Sequence, residues 1–354
     1  MMWSDMFYRL ATNGDYYKEN AAISDEVKRL VPKEITLIYW DYYHEDEKTY
    51  DKMIKGHLSF NNPVGFAGGV WTWSGFAPFN DKALKVTKAA MRACHKNNID
   101  NIIMTLWKDN GGECSFYSVL PSLLYARMAF DGITSLTEIK QRFKELFNLS
   151  FDDFTKLDAI NHIKGKKEDF DVINQSKYML YNDPFLGIFD SRVNKGDGNI
   201  YKQYVNMYNR LSKRLGKYGY IATVLKDLAH VLSYKYELGI KTREAYVTKD
   251  NKLLDEVIND YKMTIKLLYK FTESFRNLWY IENKPHGFDV EEIRLGGLIM
   301  RLSSCKDRLL KLRNKEIDKI PELEEKLLDF AGNEGSKSAT NYNNYSTNQT
   351  VNVL

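Results

Sequence analysis

Four apolar runs, each with a tryptophan at its end, alternate with amphipathic stretches in the first third of the chain. The clearest run, within residues 100–114, reads DNIIMTLWKDNGGEC and has little polar alternation before it opens into a polar loop. A short apolar run of this kind is typical of a strand in a parallel sheet that is covered on both faces. Similar runs at residues 1–3, 34–40 and 64–73 predict three further strands.

An amphipathic or apolar stretch follows each of these runs. These stretches predict helices at residues 24–30, 48–58, 81–96 and 116–130, the third with Asn80 as its N-cap. Alternation of strands and helices gives a parallel sheet with right-handed crossovers. Four such units are half of a TIM-type (β/α)8 barrel. We therefore predict an α/β fold for residues 1–131, with open sheet edges that a second copy or a complementing half would cover.

The composition changes after residue 131. The stretch Ser135-Leu136-Thr137-Glu138 has the pattern of a capping box, and helical periodicity then continues to residue 330. The predicted helices span residues 136–147, 151–163, 199–213, 218–241, 253–282, 290–314 and 321–330. We predict an α-helical C-terminal domain at residues 132–330 and a disordered tail, rich in Asn, Ser and Thr, at residues 331–354.

Composition and charge indicate an ordinary globular protein. Of the 354 residues, 44% are hydrophobic and 28% are charged, and the formal net charge is +4. Because lysines alternate with acidic residues, we expect no nucleic-acid partner, and no run is long enough to predict a membrane partner.

The cysteines do not form a recognisable motif. Cys94, Cys114 and Cys305 are scattered without CxxC or zinc spacing, so we expect no metal, no cofactor and a cytoplasmic, reducing location. Cys114, next to a strand end, is a candidate semi-exposed thiol. No signal pattern begins the chain. Residues 1–3 read as part of a strand, so we expect the N-terminal part of the ancestral domain, with any targeting signal, to be missing.

Tryptophan recurs where the predicted strands end. Trp3, Trp40, Trp73 and Trp107 are each accompanied by carboxylates or hydroxyls nearby in sequence. The strand ends of a β/α barrel hold its binding residues, and a flat indole can stack on the C–H face of a pyranose ring. The pattern predicts a sugar site, with buried core tryptophans as the alternative.

Six sequence stretches taken together identify a family resemblance. They read WSDMF, YWDYY, GGVWTWSGFAPF, LWKDNGGE, LYNDPFLGIFD and ENKPHGFDVEEIRLGGL. In this order and spacing, over residues 1 to about 330, the chain resembles glycoside hydrolase family 20, the β-N-acetylhexosaminidases, and most of all the bacterial branch with a helical domain after the barrel.

The resemblance implies hydrolysis of terminal N-acetylglucosamine or N-acetylgalactosamine with retention, in which the substrate's acetamide carbonyl is the nucleophile. A glutamic acid that protonates the leaving oxygen and a preceding aspartate lie at the end of the family's fourth strand. The chain resembles the family from its fifth strand onward, and no Asp-Glu dipeptide matches the pair. The resemblance thus implies a C-terminal portion that hydrolyses little or nothing alone.

The resemblance also assigns sugar-holding residues. Trp3 corresponds to a wall of the pocket, and Tyr42, with Tyr43 as the second choice, corresponds to the tyrosine that orients the acetamide oxygen. Trp71 and Trp73 correspond to the lining around the acetamide methyl group and ring face.

The fourth strand end supplies the remaining residues. Trp107 and Asp109 resemble the pair that closes the pocket and grips the distal hydroxyls, and Glu113 is expected to share that grip. For Asp109 and Glu113, the alternative is a loop-capping or salt-bridging role. For Asp5 and Asp41 a structural role is the favoured interpretation.

Two other functions stay open from the sequence. The first is a non-catalytic carbohydrate-binding module that uses the tryptophan-lined face. The second is a glycosidase of another barrel family, with two of Asp5, Asp41, Asp109 and Glu113 as a pair about 5 to 5.5 Å apart. For all three functions the expected partner is a glycan. For the β-N-acetylhexosaminidase it is a glycan that ends in N-acetylhexosamine.

Overall fold

The computed structural model describes residues 1–18, 23–163 and 175–328, and the predicted tail at 331–354 lies outside them. The chain divides into two compact units. The first, which we call the sheet unit, consists of Met1–Thr72, Phe79–Trp107 and Val119–Thr155. The second, the helical unit, consists of Trp73–Pro78, Lys108–Ser118 and Lys156–Leu354. Two short segments of the first third of the chain thus belong to the helical unit.

The sheet unit contains a four-stranded parallel sheet in the order β1-β2-β3-β4. Its strands are β1 (Met2–Trp3), β2 (Leu37–Trp40), β3 (Val64–Gly69) and β4 (Ile102–Thr105). In the register Met2 pairs with Leu37, Leu37 with Val64, and Phe66 with Ile102. The predicted parallel sheet is confirmed, while its membership of a half barrel stays a prediction.

Seven helices belong to the sheet unit in the described part of the chain. They are α1 (Asp5–Thr12), α2 (Asp25–Leu30), α3 (Glu47–Leu58), α4 (Asn80–Lys96), α5 (Leu120–Phe130), α6 (Leu136–Phe147) and α7 (Phe151–Thr155). Helices α3 and α4 pack on each other and on the sheet. Leu37, Tyr39, Ile54, Phe66 and Ala93 are buried in the core between them.

The helix starts follow the sequence only in part. Asp46 caps α3 as its side chain accepts from the Thr49 N–H at 2.9 Å. Asn80 was expected to cap α4 but is its first residue, and its amide oxygen accepts from the Ser122 hydroxyl at 2.7 Å. The expected capping box at Ser135 is also wrong, because Ser135 precedes α6 without a side-chain cap bond.

The helical unit is built from seven α-helices among the described residues. They are α8 (Gln175–Tyr181), α9 (Asn199–Arg214), α10 (Gly219–Lys235), α11 (Leu238–Thr248), α12 (Asn251–Glu282), α13 (Phe288–Arg313) and α14 (Pro321–Glu324). Helix α10 packs against α9 and α12, and α12 packs against α13. Large buried side chains such as Tyr201, Leu228, Tyr261, Phe271 and Leu302 form the core.

Two predicted helices are interrupted. The helix expected at 218–241 is split between α10 and α11, because Glu237 there accepts from the backbone N–H groups of Gly196 (3.0 Å) and Gly198 (2.8 Å). The helix expected at 151–163 is α7 followed by a 3-10 helix, Lys156–Asn161. In both places tertiary contacts override a continuous local periodicity.

The cysteines are free and buried. Cys114 is 1% exposed, and burial raises its pKa to about 11, so the expectation of a semi-exposed thiol is wrong. Within the described ranges, we find no helix with the length and apolar character that crossing a membrane requires.

Candidate functional site

Two tryptophans are exposed at the carboxyl ends of the outer strands of the sheet. Trp3 ends β1 and is 38% exposed, and Trp107 follows β4 and is 40% exposed. Their ring centroids are 6.3 Å apart with a tilt of 48°. Because strands β2 and β3 lie between, the two side chains lean toward each other across the strand ends. They form an exposed aromatic surface, which we call the strand-end surface.

Tyr42 adds a hydroxyl group to this surface. Its side chain follows β2, is 6% exposed and stacks on Trp40, with ring centroids 5.3 Å apart and an angle of 28°. Burial raises the pKa of Tyr42, against the smaller opposing effect of hydrogen bonds between its hydroxyl and the side chains of Trp107 and Thr105. The phenol is therefore a neutral hydrogen-bonding group next to an exposed indole.

The loop that carries Tyr42 is held by its backbone. Three consecutive carbonyl groups accept hydrogen bonds: Tyr42 O from Trp71 Nε1 (2.9 Å), Tyr43 O from Lys82 Nζ (2.7 Å) and His44 O from Tyr50 Oη (2.8 Å). Lys82 also forms an ion pair with Glu45 at 2.7 Å. With its carbonyls fixed, the loop presents Tyr42 in one orientation.

Asp41 and Asp5 are engaged within the sheet unit. Asp41 is 1% exposed and accepts from Tyr39 Oη (2.8 Å) and from the backbone N–H of Tyr43 (2.9 Å). It also pairs with His44 Nδ1 at 2.7 Å, and this hydrogen bond raises the pKa of His44. Asp5 pairs with Arg9 at 2.9 Å. These contacts favour the structural role expected of both carboxylates.

The remaining predicted lining residues are less accessible. Trp71 is fully buried and its ring centroid lies 5.7 Å from that of Tyr43 at an angle of 84°. Trp73 is 2% exposed and belongs to the helical unit. The predicted contacts of Tyr43, Trp71 and Trp73 with a sugar stay predictions.

The loop after β4, Lys108–Ser118, belongs to the helical unit and carries Asp109 and Glu113. Asp109 is exposed in a 3-10 turn, and partial burial raises its pKa. Glu113 is buried and forms an ion pair with Lys177, a buried residue of α8. The salt-bridging alternative thus describes Glu113, whereas Asp109 keeps an accessible carboxylate.

A second buried carboxylate lies beside this ion pair. Glu291 of α13 accepts from Arg294 at 2.9 Å, and burial, followed by the charge of Glu113, raises the pKa of Glu291. Gly111 has a φ of +125°, and a Cβ atom there would collide with Glu291 Oε1 and Arg294 Nη1 and lie tightly against Glu113 Oε1. Glycine is therefore required at this point of the loop.

The distal end of the same loop is held by Glu282 of α12. One carboxylate oxygen accepts from Ser115 Oγ (2.5 Å) and Tyr220 Oη (2.9 Å), and the other accepts from the backbone N–H of Phe116 (2.7 Å). Lys108 Nζ lies 4.0 Å from the Phe116 ring centroid. Charged residues of α8 and α12 therefore hold the loop at Glu113 and at Ser115 and Phe116.

The sequence did not single out Thr105, Lys177, Glu282 or Glu291. The last two lie in the stretch ENKPHGFDVEEIRLGGL, which is one of the six stretches that carry the family resemblance. Glu282 is 167 residues from Ser115, and Lys177 is 64 residues from Glu113. A single sequence carries no periodic signal for such pairs.

The three Asp-Glu dipeptides of the sequence lie at the start of a helix or within one. Asp25-Glu26 begins α2, Asp46-Glu47 begins α3 and Asp255-Glu256 lies within α12. Asp46-Glu47 comes after β2, at the start of the next helix, whereas the other two dipeptides come after α1 and α11.

The sequence model of the glycoside hydrolase 20C C-terminal domain matches residues 152–342. No curated protein matches the chain. The matched segment covers more than half of the 354 residues and includes most of the helical unit. The chain therefore belongs to glycoside hydrolase family 20 and contains the family's C-terminal helical domain.

Proposed function

We propose that the chain is the sugar-holding portion of an exo-acting β-N-acetylhexosaminidase, which hydrolyses terminal β-linked N-acetylglucosamine or N-acetylgalactosamine with retention. The observation that carries the proposal is the pair of exposed indoles, Trp3 and Trp107. The Tyr42 hydroxyl is hydrogen-bonded to the side chain of Trp107. The family membership supplies the chemistry that such a surface would serve.

Tyr42 has the properties that orienting an acetamide group requires. The indole N–H of Trp107 can only donate, so the Tyr42 oxygen accepts from it and keeps its own proton. The raised pKa keeps that proton in place at neutral pH. On sugar binding, the hydroxyl donates to the acetamide oxygen and directs it at the anomeric carbon.

The other residues take roles according to their accessibility. We assign a loop-positioning role to Glu113, whose carboxylate is paired with Lys177, and the contact of the exposed Asp109 carboxylate with distal hydroxyls stays a prediction of the resemblance. Trp71 positions Tyr42 through its bond to the Tyr42 carbonyl. Trp3 and Trp107 hold the ring faces of the sugar.

Turnover needs a proton donor for the leaving oxygen and a carboxylate that orients the acetamide N–H. No residue of the chain is matched to either role, so hydrolysis by these 354 residues alone is expected to be negligible. Loss of general acid–base assistance by itself typically lowers rates by about 10² to 10⁴. The parallel strand order supports the further proposal that the sheet is half of a barrel, completed by a complementing N-terminal half or a second copy.

The test separates binding from turnover. Binding of N-acetylglucosamine is measured by calorimetry, and hydrolysis of an aryl N-acetyl-β-glucosaminide is measured with and without an added polypeptide that supplies a family N-terminal half. We expect binding in both cases and hydrolysis only with the added half. Hydrolysis by the chain alone would contradict the missing acid and return attention to Asp5, Asp41, Asp109 and Glu113.

The second candidate function is a non-catalytic carbohydrate-binding module. The same pair of exposed indoles favours it. The carboxylates of Asp5, Asp41 and Glu113 favour it as well, because they form internal ion pairs or hydrogen bonds instead of facing a substrate. Binding of N-acetylglucosamine that never leads to hydrolysis, even with the complementing half present, would support it over the leading proposal.

A further inference from the structure

A cavity of about 510 Å³ lies within the helical unit, where two stretches of the sequence that the proposed function leaves unused meet. Asp183, Pro184 and Leu186 of the stretch LYNDPFLGIFD line one side. Ile293, Arg294 and Gly297 of the stretch ENKPHGFDVEEIRLGGL line another. Cavities of about 300 to 1,000 Å³ are the usual size of small-molecule sites.

Helix α13 contains an unusual pair of residues beside this cavity. Gly296 and Gly297 lie in the interior of a helix that runs from Phe288 to Arg313, where glycine is among the least favourable residues. Close packing is the usual reason for a helix glycine, yet a Cβ atom at either position would meet no described atom within 4 Å. Gly297 lines the cavity, so its missing side chain leaves backbone and space open there.

The charges around the cavity are balanced and paired. Arg301 donates to Asp183 through Nε (2.6 Å) and Nη2 (3.2 Å), and the Glu322 carboxylate accepts from Arg308 Nη2 at 2.7 Å. Of the lining residues, Arg294 and Arg301 are cationic, and Asp183 and Glu322 are anionic. The rim therefore offers fixed donors and acceptors without a net charge.

These features select among ligand classes. An anion would approach the carboxylates of Asp183 and Glu322, and a purely apolar molecule would remove water from four charged side chains without replacing its hydrogen bonds. A neutral ring with many hydroxyl groups and one apolar face suits the lining, because Leu186 and the 73% exposed Ile293 offer apolar contacts beside the charged groups. A pyranose has this character.

We propose that this cavity of the helical unit is a second carbohydrate-binding site, which takes a neutral mono- or disaccharide against Gly297 and the Arg301–Asp183 pair. The proposal depends on the cavity alone, and it stands whether or not the strand-end surface binds a sugar.

The glycine pair allows a matched test in the full chain. Gly297→Leu places a side chain in the cavity, whereas Gly296→Leu places the same side chain on the same helix at a position that does not line it. Leucine is a far better helix former than glycine, so both variants are expected to fold with a raised Tm. Binding of N,N′-diacetylchitobiose and of lactose is measured by calorimetry for the parent chain and both variants.

We expect at least one of the two disaccharides to bind the parent chain, and Gly297→Leu to weaken that binding about tenfold or more while Gly296→Leu leaves it unchanged. The same titrations in Trp107→Ala isolate the cavity, because that variant impairs only the strand-end surface. Equal binding by the two glycine variants, or no disaccharide binding in the Trp107→Ala background, would overturn the proposal. A changed oligomeric state in both glycine variants with unchanged sugar binding would assign the glycines to a protein contact instead.

Discussion

The indole of Trp107 is in contact with two partners of different kinds. Its ring centroid lies 6.3 Å from that of Trp3, and its side chain is hydrogen-bonded to the Tyr42 hydroxyl. An exposed apolar face and a polar hydroxyl group are thus joined through one residue. Trp107 therefore connects the strand end of β4 with those of β1 and β2.

Replacement of Trp107 by alanine is expected to weaken N-acetylglucosamine binding about tenfold or more. The variant loses the contact between the indole and the sugar ring, and a loss of about 1.4 kcal/mol in binding free energy raises the Kd tenfold. The indole is 40% exposed, so we expect the loss in the free energy of unfolding to come mainly from its hydrogen bond with Tyr42, about 0.5 to 1.5 kcal/mol. Tyr269→Ala, which removes a 62% exposed ring from α12, is the matched control. Calorimetric titration that shows equal loss in both variants would contradict a specific role for Trp107.

Replacement of Tyr42 by phenylalanine removes the hydroxyl and keeps the ring. We expect a loss of about 0.5 to 1.5 kcal/mol in the free energy of unfolding, because the hydrogen bonds with Trp107 and Thr105 disappear. Binding of N-acetylglucosamine should weaken, while binding of glucose, which has no acetamide, should change little. An equal effect on both sugars would show that Tyr42 acts only by supporting the loop.

The pair of His44 and Asp41 predicts a pH dependence of stability. The folded pKa of His44 is raised above the unfolded value of about 6.5 by its hydrogen bond with Asp41. The contribution of protonated His44 to the free energy of unfolding is therefore fully present below pH about 6.5, and it is lost as the pH rises through the folded pKa. Urea unfolding of the parent chain and of His44→Gln between pH 5 and about 9 measures this contribution. If the free energies of unfolding of the two proteins changed with pH in parallel, the stabilising role of the His44–Asp41 pair would be contradicted.

The buried pair of Glu113 and Lys177 predicts strong coupling. Lys177→Met leaves the Glu113 carboxylate without its partner, which is expected to cost about 3 to 5 kcal/mol. The double variant Glu113→Gln with Lys177→Met removes both charges and should recover a large part of that loss. Denaturant unfolding of the four proteins in the cycle checks this, and additive losses would mean that the two side chains do not interact.

Apolar runs of residues 34–40, 64–73 and 100–114 were sufficient to place strands β2, β3 and β4, because burial on both faces leaves a local signature. Helical periodicity likewise placed α9, α12 and α13 within a few residues. The sequence could not tell the exposed Trp107 from the buried Trp71, since both follow strands and only packing decides their exposure. Nor could it pair Glu113 with Lys177, because no local rule joins a loop carboxylate to a distant helix.

Because each unit is built from several separate chain segments, neither unit can be produced as one continuous fragment. The backbone passes between the sheet unit and the helical unit at residues 72–73, 78–79, 107–108, 118–119 and 155–156. Phe76, from the first of the exchanged segments, packs against Phe271 and Phe275, and Glu113, from the second, pairs with Lys177. No single truncation point therefore separates the units. When synthesis has reached residue 155, the residues that these two segments contact have not yet been made.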